Sequence, residues 1–206
     1  VLSLFDGISC GMVALKRAGI EVDNYYASEI DKFAIKVSKK NFPEIVHVGD
    51  VRGVFAADFP KIDLVIGGSP CQGLSLIGKM GGFEDDRSKL FYEFVRVVNE
   101  FKPKYFMLEN VKMKTEWKDE ITRQLGVSPI EIDSRLVSAQ NRKRFYWTNI
   151  PGVGQPKDKK IVLDDVIQDT DEGSFDNWRR YTDGSMGKYW NPYDRNPVFD
   201  KSTDRK

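Results

Sequence analysis

Short apolar runs alternate with amphipathic stretches through the first half of the chain. Val1-Leu2-Ser3-Leu4-Phe5 reads as a buried strand. Residues Cys10 to Ala18 follow with Met12, Val13, Leu15 and Ala18 at helical spacing and Gly19 as a stop. The pattern then repeats. A strand near Tyr25 to Ser28 leads into a helix over Asp31 to Lys40, and further strands are expected over Ile45 to Val48 and Ile62 to Ile66. An amphipathic helix over Leu90 to Phe101 and a strand over Tyr105 to Leu108 complete the series. Such alternation predicts an α/β protein with a mostly parallel sheet and helices on both faces. Beyond it, Ile130 to Val137 and Phe145 to Asn149 are strand-like and close in sequence, which predicts an antiparallel hairpin at the sheet edge. Pro151 to Pro156 reads as a linker. From Asp169 the chain turns polar and aromatic with no clear period, as in Asp176-Asn177-Trp178-Arg179-Arg180-Tyr181 and Lys188-Tyr189-Trp190.

Composition narrows the function classes. The 206 residues are 40% hydrophobic and 31% charged, as in ordinary globular proteins. No apolar run approaches the roughly 18 residues of a membrane span, and no charged-then-apolar leader opens the sequence. No membrane association is therefore expected. Two cysteines and one histidine, His47, offer neither a disulfide framework nor a metal-ligand cluster of the usual spacing, and a reducing setting fits. The net charge of +1 does not announce a polyanion binder. Locally, Arg135, Arg142, Lys143, Arg144, Lys157, Lys159 and Lys160 lie close together, which suits either phosphate contact or a solvated charged surface.

In a parallel sheet, ligands bind along the edge formed by the carboxyl ends of the strands. The polar residues after the five predicted strands are Asp6-Gly7, Glu29, Asp50, Ser69-Pro70-Cys71-Gln72 and Glu109-Asn110. Each alone is better explained as a turn or helix-cap residue, an explanation that weakens for all five at once. Gly7 and Gly11 fall where the first strand turns into a helix, although the segment is not a G-x-G-x-x-G signature. Glu29 stands where a carboxylate binds a ribose diol, and Asp50 where it reaches an adenine amino group. This suggests a nucleoside-containing cofactor. Pro70 restricts the backbone ahead of Cys71 and aims that thiol at the sheet edge, as a nucleophile requires. Glu109 would supply an acid and the Gln140-to-Arg144 segment cations. The glycine-rich stretch from Gly73 to Lys89 reads as a lid beside Cys71. Cys10, within a predicted helix, reads as a packing residue.

Four of these segments, in order, resemble the motifs of the DNA (cytosine-5) methyltransferases, in the manner of the animal de novo enzymes and their bacterial and phage relatives. They are Phe5-Asp6-Gly7 with Gly11, Pro70-Cys71-Gln72, Glu109-Asn110-Val111, and Gln140-x-Arg142-x-Arg144; together they span Leu2 to Trp147. The first motif has Ser9 where many relatives have glycine. The resemblance implies the Rossmann-like sheet of the S-adenosylmethionine-dependent methyltransferases, ending in an antiparallel hairpin. It implies a catalytic and cofactor-binding domain over residues 1–156 and the truncated start of a target-recognition region over 157–206.

The resemblance also implies roles. S-adenosylmethionine, or its product S-adenosylhomocysteine, would contact Phe5, Asp6, Gly7, Ile8, Gly11, Glu29, Ile30, Asp50, Val51, Ser69, Pro70 and Leu90. Cys71 would attack C6 of a flipped cytosine. Glu109 would hold N3 and N4 of the base, Arg144 would hold O2, and Arg142 would complete the catalytic set. Gln72, Ser75, Asn110 and Gln140 would contact the base or DNA. The partner would be double-stranded DNA, in a bacterial or phage-infected cytoplasm or in a nucleus. Two alternatives stay open: cytosine-5 methylation of transfer RNA, which uses nearly the same motifs, and an inactive homologue that binds DNA or an active partner. An oxidoreductase is disfavoured by the missing dinucleotide glycine pattern.

Overall fold

The computed structural model describes residues 1–70 and 86–166. The chain divides into two compact units, Val1–Val166 and Ile167–Lys206. The second unit, with its aromatic-rich stretches, lies outside the described residues. So do Cys71, Gln72, Ser75 and most of the stretch read as a lid.

In chain order the elements are β1 (Leu2–Leu4), α1 (Cys10–Arg17), β2 (Tyr26–Ser28), α2 (Lys32–Asn41), β3 (Val46–His47), β4 (Leu64–Gly67) and α3 (Asp86–Phe101). β5 (Tyr105–Val111), α4 (Thr115–Leu125), β6 (Ile130–Asp133) and β7 (Lys143–Thr148) follow. The strands form one seven-stranded sheet in the order β3-β2-β1-β4-β5-β7-β6. β1 to β5 run parallel, while β7 is antiparallel to both β5 and β6. The fold class is thus the expected mostly parallel sheet with an antiparallel hairpin. The chain first builds outward from β1 through β2 to β3, then restarts on the other side of β1 with β4. Such a reversal is where open α/β sheets place their ligand crevice, here at the carboxyl ends of β1 and β4.

The alternating sides of each strand feed two cores. Leu2, Leu4, Val65, Leu108 and Trp147 bury one face against Phe91, Phe94 and Val97 of α3 and Ile121 of α4. On the other face Met12 and Leu15 of α1 pack with Tyr25, Ala27 and Ile45. Fully burying side chains of this size contributes roughly 1.5–3 kcal/mol each.

Four features depart from the sequence reading. Helix α4 was not foreseen, because its buried stripe is only Trp117, Ile121 and Leu125 among charges, ended by Gly126 at φ 68°. The hairpin stands at the sheet edge as expected, but β7 inserts between β5 and β6, so of its two strands only β6 is an edge strand. β5 runs on through Glu109 and Asn110, which therefore lie on the strand and point to opposite faces. Cys10 is exposed at the first position of α1, so it is not a packing residue.

Candidate active site

The turn from β1 into α1 is tightly specified. Phe5, Gly7 and Ser9 all adopt positive φ, at 55°, 63° and 65°. Nothing approaches within 4 Å of the space a Gly7 side chain would fill, so this glycine serves the backbone conformation and leaves an open surface. Gly11 is different: a Cβ there would lie 2.5 Å from Ile66 Cδ1 and 2.6 Å from the Tyr25 hydroxyl. Its lack of a side chain lets α1 lie against the sheet. Asp6 turns inward, its Oδ1 accepting from Tyr25 at 2.7 Å and its Oδ2 from Ser9 at 2.5 Å.

Glu29 ends β2 and is held by three backbone donors. Its Oε2 accepts from Gly7 N–H at 2.8 Å, and its Oε1 from Ile30 and Asp31 N–H, each at 2.8 Å. Asp31 then caps α2 by accepting from Phe33 and Ala34 N–H. Beside this carboxylate, Ile30 is 72% exposed and Ile8 is 49% exposed. Asp50 follows β3 and grips the Arg52 side chain through Nε and Nη2 and the Arg52 backbone N–H. These hydrogen bonds lower the Asp50 pKa to about 2. Val51 is buried in the core, so only its backbone is free to meet a ligand. Leu90, on α3, is half-buried against the same core.

The β4 end meets β5 and β7. Asn110, almost fully buried, donates from Nδ2 to the Ser69 carbonyl at 3.3 Å and the Ser69 Oγ at 3.2 Å. Its Oδ1 accepts from Val111 N–H. Ser69 is buried as well, so the chain is anchored just before Pro70 and Cys71. On the opposite face of β5, Glu109 pairs across the sheet with Tyr146, and Val111 with Arg144. Glu109 and Arg144 are thus diagonal neighbours on one face. Arg144 Nε lies 2.9 Å from Glu109 Oε1, though its N–H is not aimed along that line and finds no hydrogen-bond partner. Its Nη1 donates to the Lys143 carbonyl. The other Glu109 oxygen, Oε2, sits 3.2 Å from where a Gly68 side chain would begin. Burial and the Glu109 charge raise the Tyr146 pKa above its ordinary value.

Arg142 and Gln140 lie in the β6–β7 connection and are exposed. Backbone groups fix both: Arg142 N–H donates to Asp133 Oδ1, and the Gln140 carbonyl accepts from Ser134 Oγ. The structure therefore gathers Glu29, Gly7 and Ile8 at the crevice, and Ser69, Glu109, Asn110 and Arg144 beside it. It keeps Gln140 and Arg142 at the surface. Sequence reading missed Tyr25 and Arg96. Arg96 on α3 donates to the carbonyls of Val51 and Val54 and ion-pairs with Glu93 and Glu100, which clamps the turn after Asp50. The i−3 and i+4 acids flanking Arg96 were the available signal.

A family model described as C-5 cytosine-specific DNA methylase matches residues 1–125. The type II methyltransferase M1.ScrFI of Lactococcus lactis subsp. cremoris is 38% identical over 157 residues, covering 71% of this chain and 40% of that protein. The orphan methyltransferase M.Rho11sI of Bacillus phage rho11s is 43% identical over 159 residues, covering 71% and 32% respectively. The chain spans a third to a half of the length of such relatives. Among solved structures, a prophage-encoded E. coli protein described as a DNA modification methyltransferase aligns with a TM-score of 0.59 at 30% identity, over 71% of this chain and 45% of that one. Spodoptera frugiperda DNMT2 shares the fold, with a TM-score of 0.56 at 22% identity over 78% of this chain and 53% of that one.

Proposed function

Because the chain belongs to the C-5 cytosine-specific DNA methylase family, we propose that it carries the cofactor site and catalytic residues of an enzyme that methylates C5 of cytosine in duplex DNA. The observation that carries this reading is the Glu109–Arg144 pair at 2.9 Å, with Glu109 against Gly68, three residues ahead of Cys71.

The crevice residues fit S-adenosylmethionine. Glu29 is oriented by three N–H donors, which leaves its carboxylate pre-set for a ribose diol. Exposed Ile30 and Ile8 offer apolar cover for the adenine and the methionine chain, and Gly7 leaves the backbone approachable. Asp50 would share its carboxylate between Arg52 and the adenine amino group. When bound, the cofactor supplies the methyl group that C5 accepts.

The chain's own residues prepare the base. The Cys71 thiolate adds to C6 of an extruded cytosine, and the electron pair of the C5–C6 bond becomes available at C5. Glu109 stabilises that charge by holding a proton at N3 and accepting from the N4 amine. Arg144 donates to O2, and the burial of its Nε strengthens its charge toward the base. Asn110, through Ser69, fixes where the chain departs toward Cys71. After C5 is methylated, a base takes the C5 proton and the C6–S bond breaks, returning its electrons to sulfur. Exposed Arg142 and Lys143 suit DNA phosphates.

The test is covalent trapping with the protein. DNA bearing 5-fluorocytosine should form a cofactor-dependent adduct stable to denaturing electrophoresis, because fluorine cannot leave C5 as a proton does. Cys71→Ser should abolish it and Cys10→Ser should leave it intact. An adduct that survives Cys71→Ser, or forms only on transfer RNA, overturns the assignment.

A further inference from the structure

Beneath the proposed cofactor turn runs a relay of side chains that reaches the third strand. Tyr25 and Ser9 both donate to Asp6, Ser9 Oγ lies 2.6 Å from Ser38 Oγ on α2, and Ser38 Oγ lies 3.2 Å from His47 Nε2 on β3. Ser9 and Ser38 are completely buried. The direction of every proton in the relay follows from counting donors. A carboxylate only accepts, so the single Ser9 hydroxyl hydrogen goes to Asp6. Ser38 must then donate to Ser9, since Ser9 has no hydrogen left. With the Ser38 hydrogen used, His47 must donate from Nε2. His47 thus carries a proton on Nε2. Its Nδ1 is buried and has no hydrogen-bond partner, so a second proton there would make an unpaired buried charge and the neutral Nε2–H ring is favoured.

Resting on the reading of this crevice as an S-adenosylmethionine site, we propose that Tyr25, Ser38 and His47 are positioning residues that set cofactor affinity without touching the cofactor. The turn they hold contains two non-glycine residues at positive φ, Phe5 and Ser9, a conformation that persists only where its surroundings enforce it. The relay fastens Asp6 and Ser9, the residues on either side of Gly7-Ile8. Held between them, Gly7 N–H is aimed at Glu29 Oε2. Loss of the relay releases the turn and, through Gly7, the Glu29 carboxylate. The charged groups around the relay favour this proton order. Burial and the Asp6 carboxylate raise the Tyr25 pKa, which keeps its hydroxyl a donor. Burial and Lys39 on α2 lower the His47 pKa against an opposing pull from Asp6, which keeps it neutral.

Calorimetric titration of S-adenosylhomocysteine into the full-length protein tests the proposal. Ser38→Ala and Tyr25→Phe should each weaken binding at least fivefold, while thermal unfolding stays cooperative. His47→Phe should behave like Ser38→Ala, and His47→Gln, which keeps an N–H donor, should bind within twofold of the parent. Binding by Ser38→Ala and Tyr25→Phe within twofold of the parent overturns the proposal while leaving the cofactor reading in place. A parent protein that fails to bind S-adenosylhomocysteine removes both. Nitrogen-15 NMR of ligand-free parent protein gives a measurement independent of any variant or ligand. The His47 ring should be in the Nε2–H form, and an Nδ1–H ring would break the relay.

Discussion

At the scale of single residues, the two glycines of the first turn have different tasks. Gly7 frees the backbone to turn with its open side toward the crevice, whereas Gly11 clears space for Ile66 and Tyr25. Gly11→Ala would drive a Cβ into both neighbours, one of them the relay hydroxyl. It should destabilise the fold by about 1–3 kcal/mol, the usual cost of overpacking, read as a lower urea midpoint at unchanged slope. The glycine pair was visible in the sequence, but the division of labour was not, because it depends on which side of α1 meets the sheet. Glu109 and Asn110 make the same point. They are adjacent in sequence, yet the period of two along β5 sends Glu109 to Arg144 and Asn110 to Ser69. Asn110→Ala would strip two buried contacts from Ser69. Under the proposed function, methylation should fall at least tenfold, since the approach to Cys71 would lose its anchor. Unchanged turnover in a steady-state assay would show that Ser69 is held by other means.

At the scale of elements, Arg96 joins α3 to the turn after β3. It donates to two carbonyls while Glu93 and Glu100 neutralise it. Hydrogen bonds to a charged group contribute roughly 1.5–3 kcal/mol each, net of the water they replace. Arg96→Met keeps the aliphatic stem, and should cost about 1–3 kcal/mol in chemical denaturation because the Val51 and Val54 carbonyls lose a partly buried donor. The same device recurs at β7, where Trp147 donates to Thr122 on α4 at 3.0 Å. α4 was illegible from its sequence because one buried stripe of three residues among charges barely departs from a surface pattern. The hairpin was legible, since two β-rich runs lay close together. Its insertion beside β5 was not, because strand neighbours are chosen by tertiary pairing.

At the scale of the whole molecule, stability should depend on pH through His47. Burial and Lys39 lower its folded pKa below the ordinary value of 6.5. The unfolded chain therefore binds more protons across the interval between the folded value and 6.5, so stability rises with pH through that interval. Stability should be fullest above about pH 7 and fall on acidification through the mildly acidic range, with the melting temperature lower at pH 5 than at pH 7.5. In His47→Gln the part of this slope due to residue 47 should vanish. A parent and variant with superimposable pH profiles would show that His47 does not titrate with folding.

The sequence by itself determined the alternation of strands and helices, the strand-end carboxylates and the order of the family motifs. Each of these depends on local hydrophobic period or on residues adjacent in the chain. It also carried the nucleophile reading of Cys71, which lies outside the described residues. Only the tertiary structure decided that Asp6 faces inward to Tyr25 and Ser9, that Cys10 is exposed, and that Glu109 meets Arg144 across a strand pair. The relay from Asp6 to His47 joins residues 41 positions apart across three segments of chain. No sequence period encodes such a contact, because hydrogen bonds of a few ångströms form only after hydrophobic burial has set the helices against the sheet.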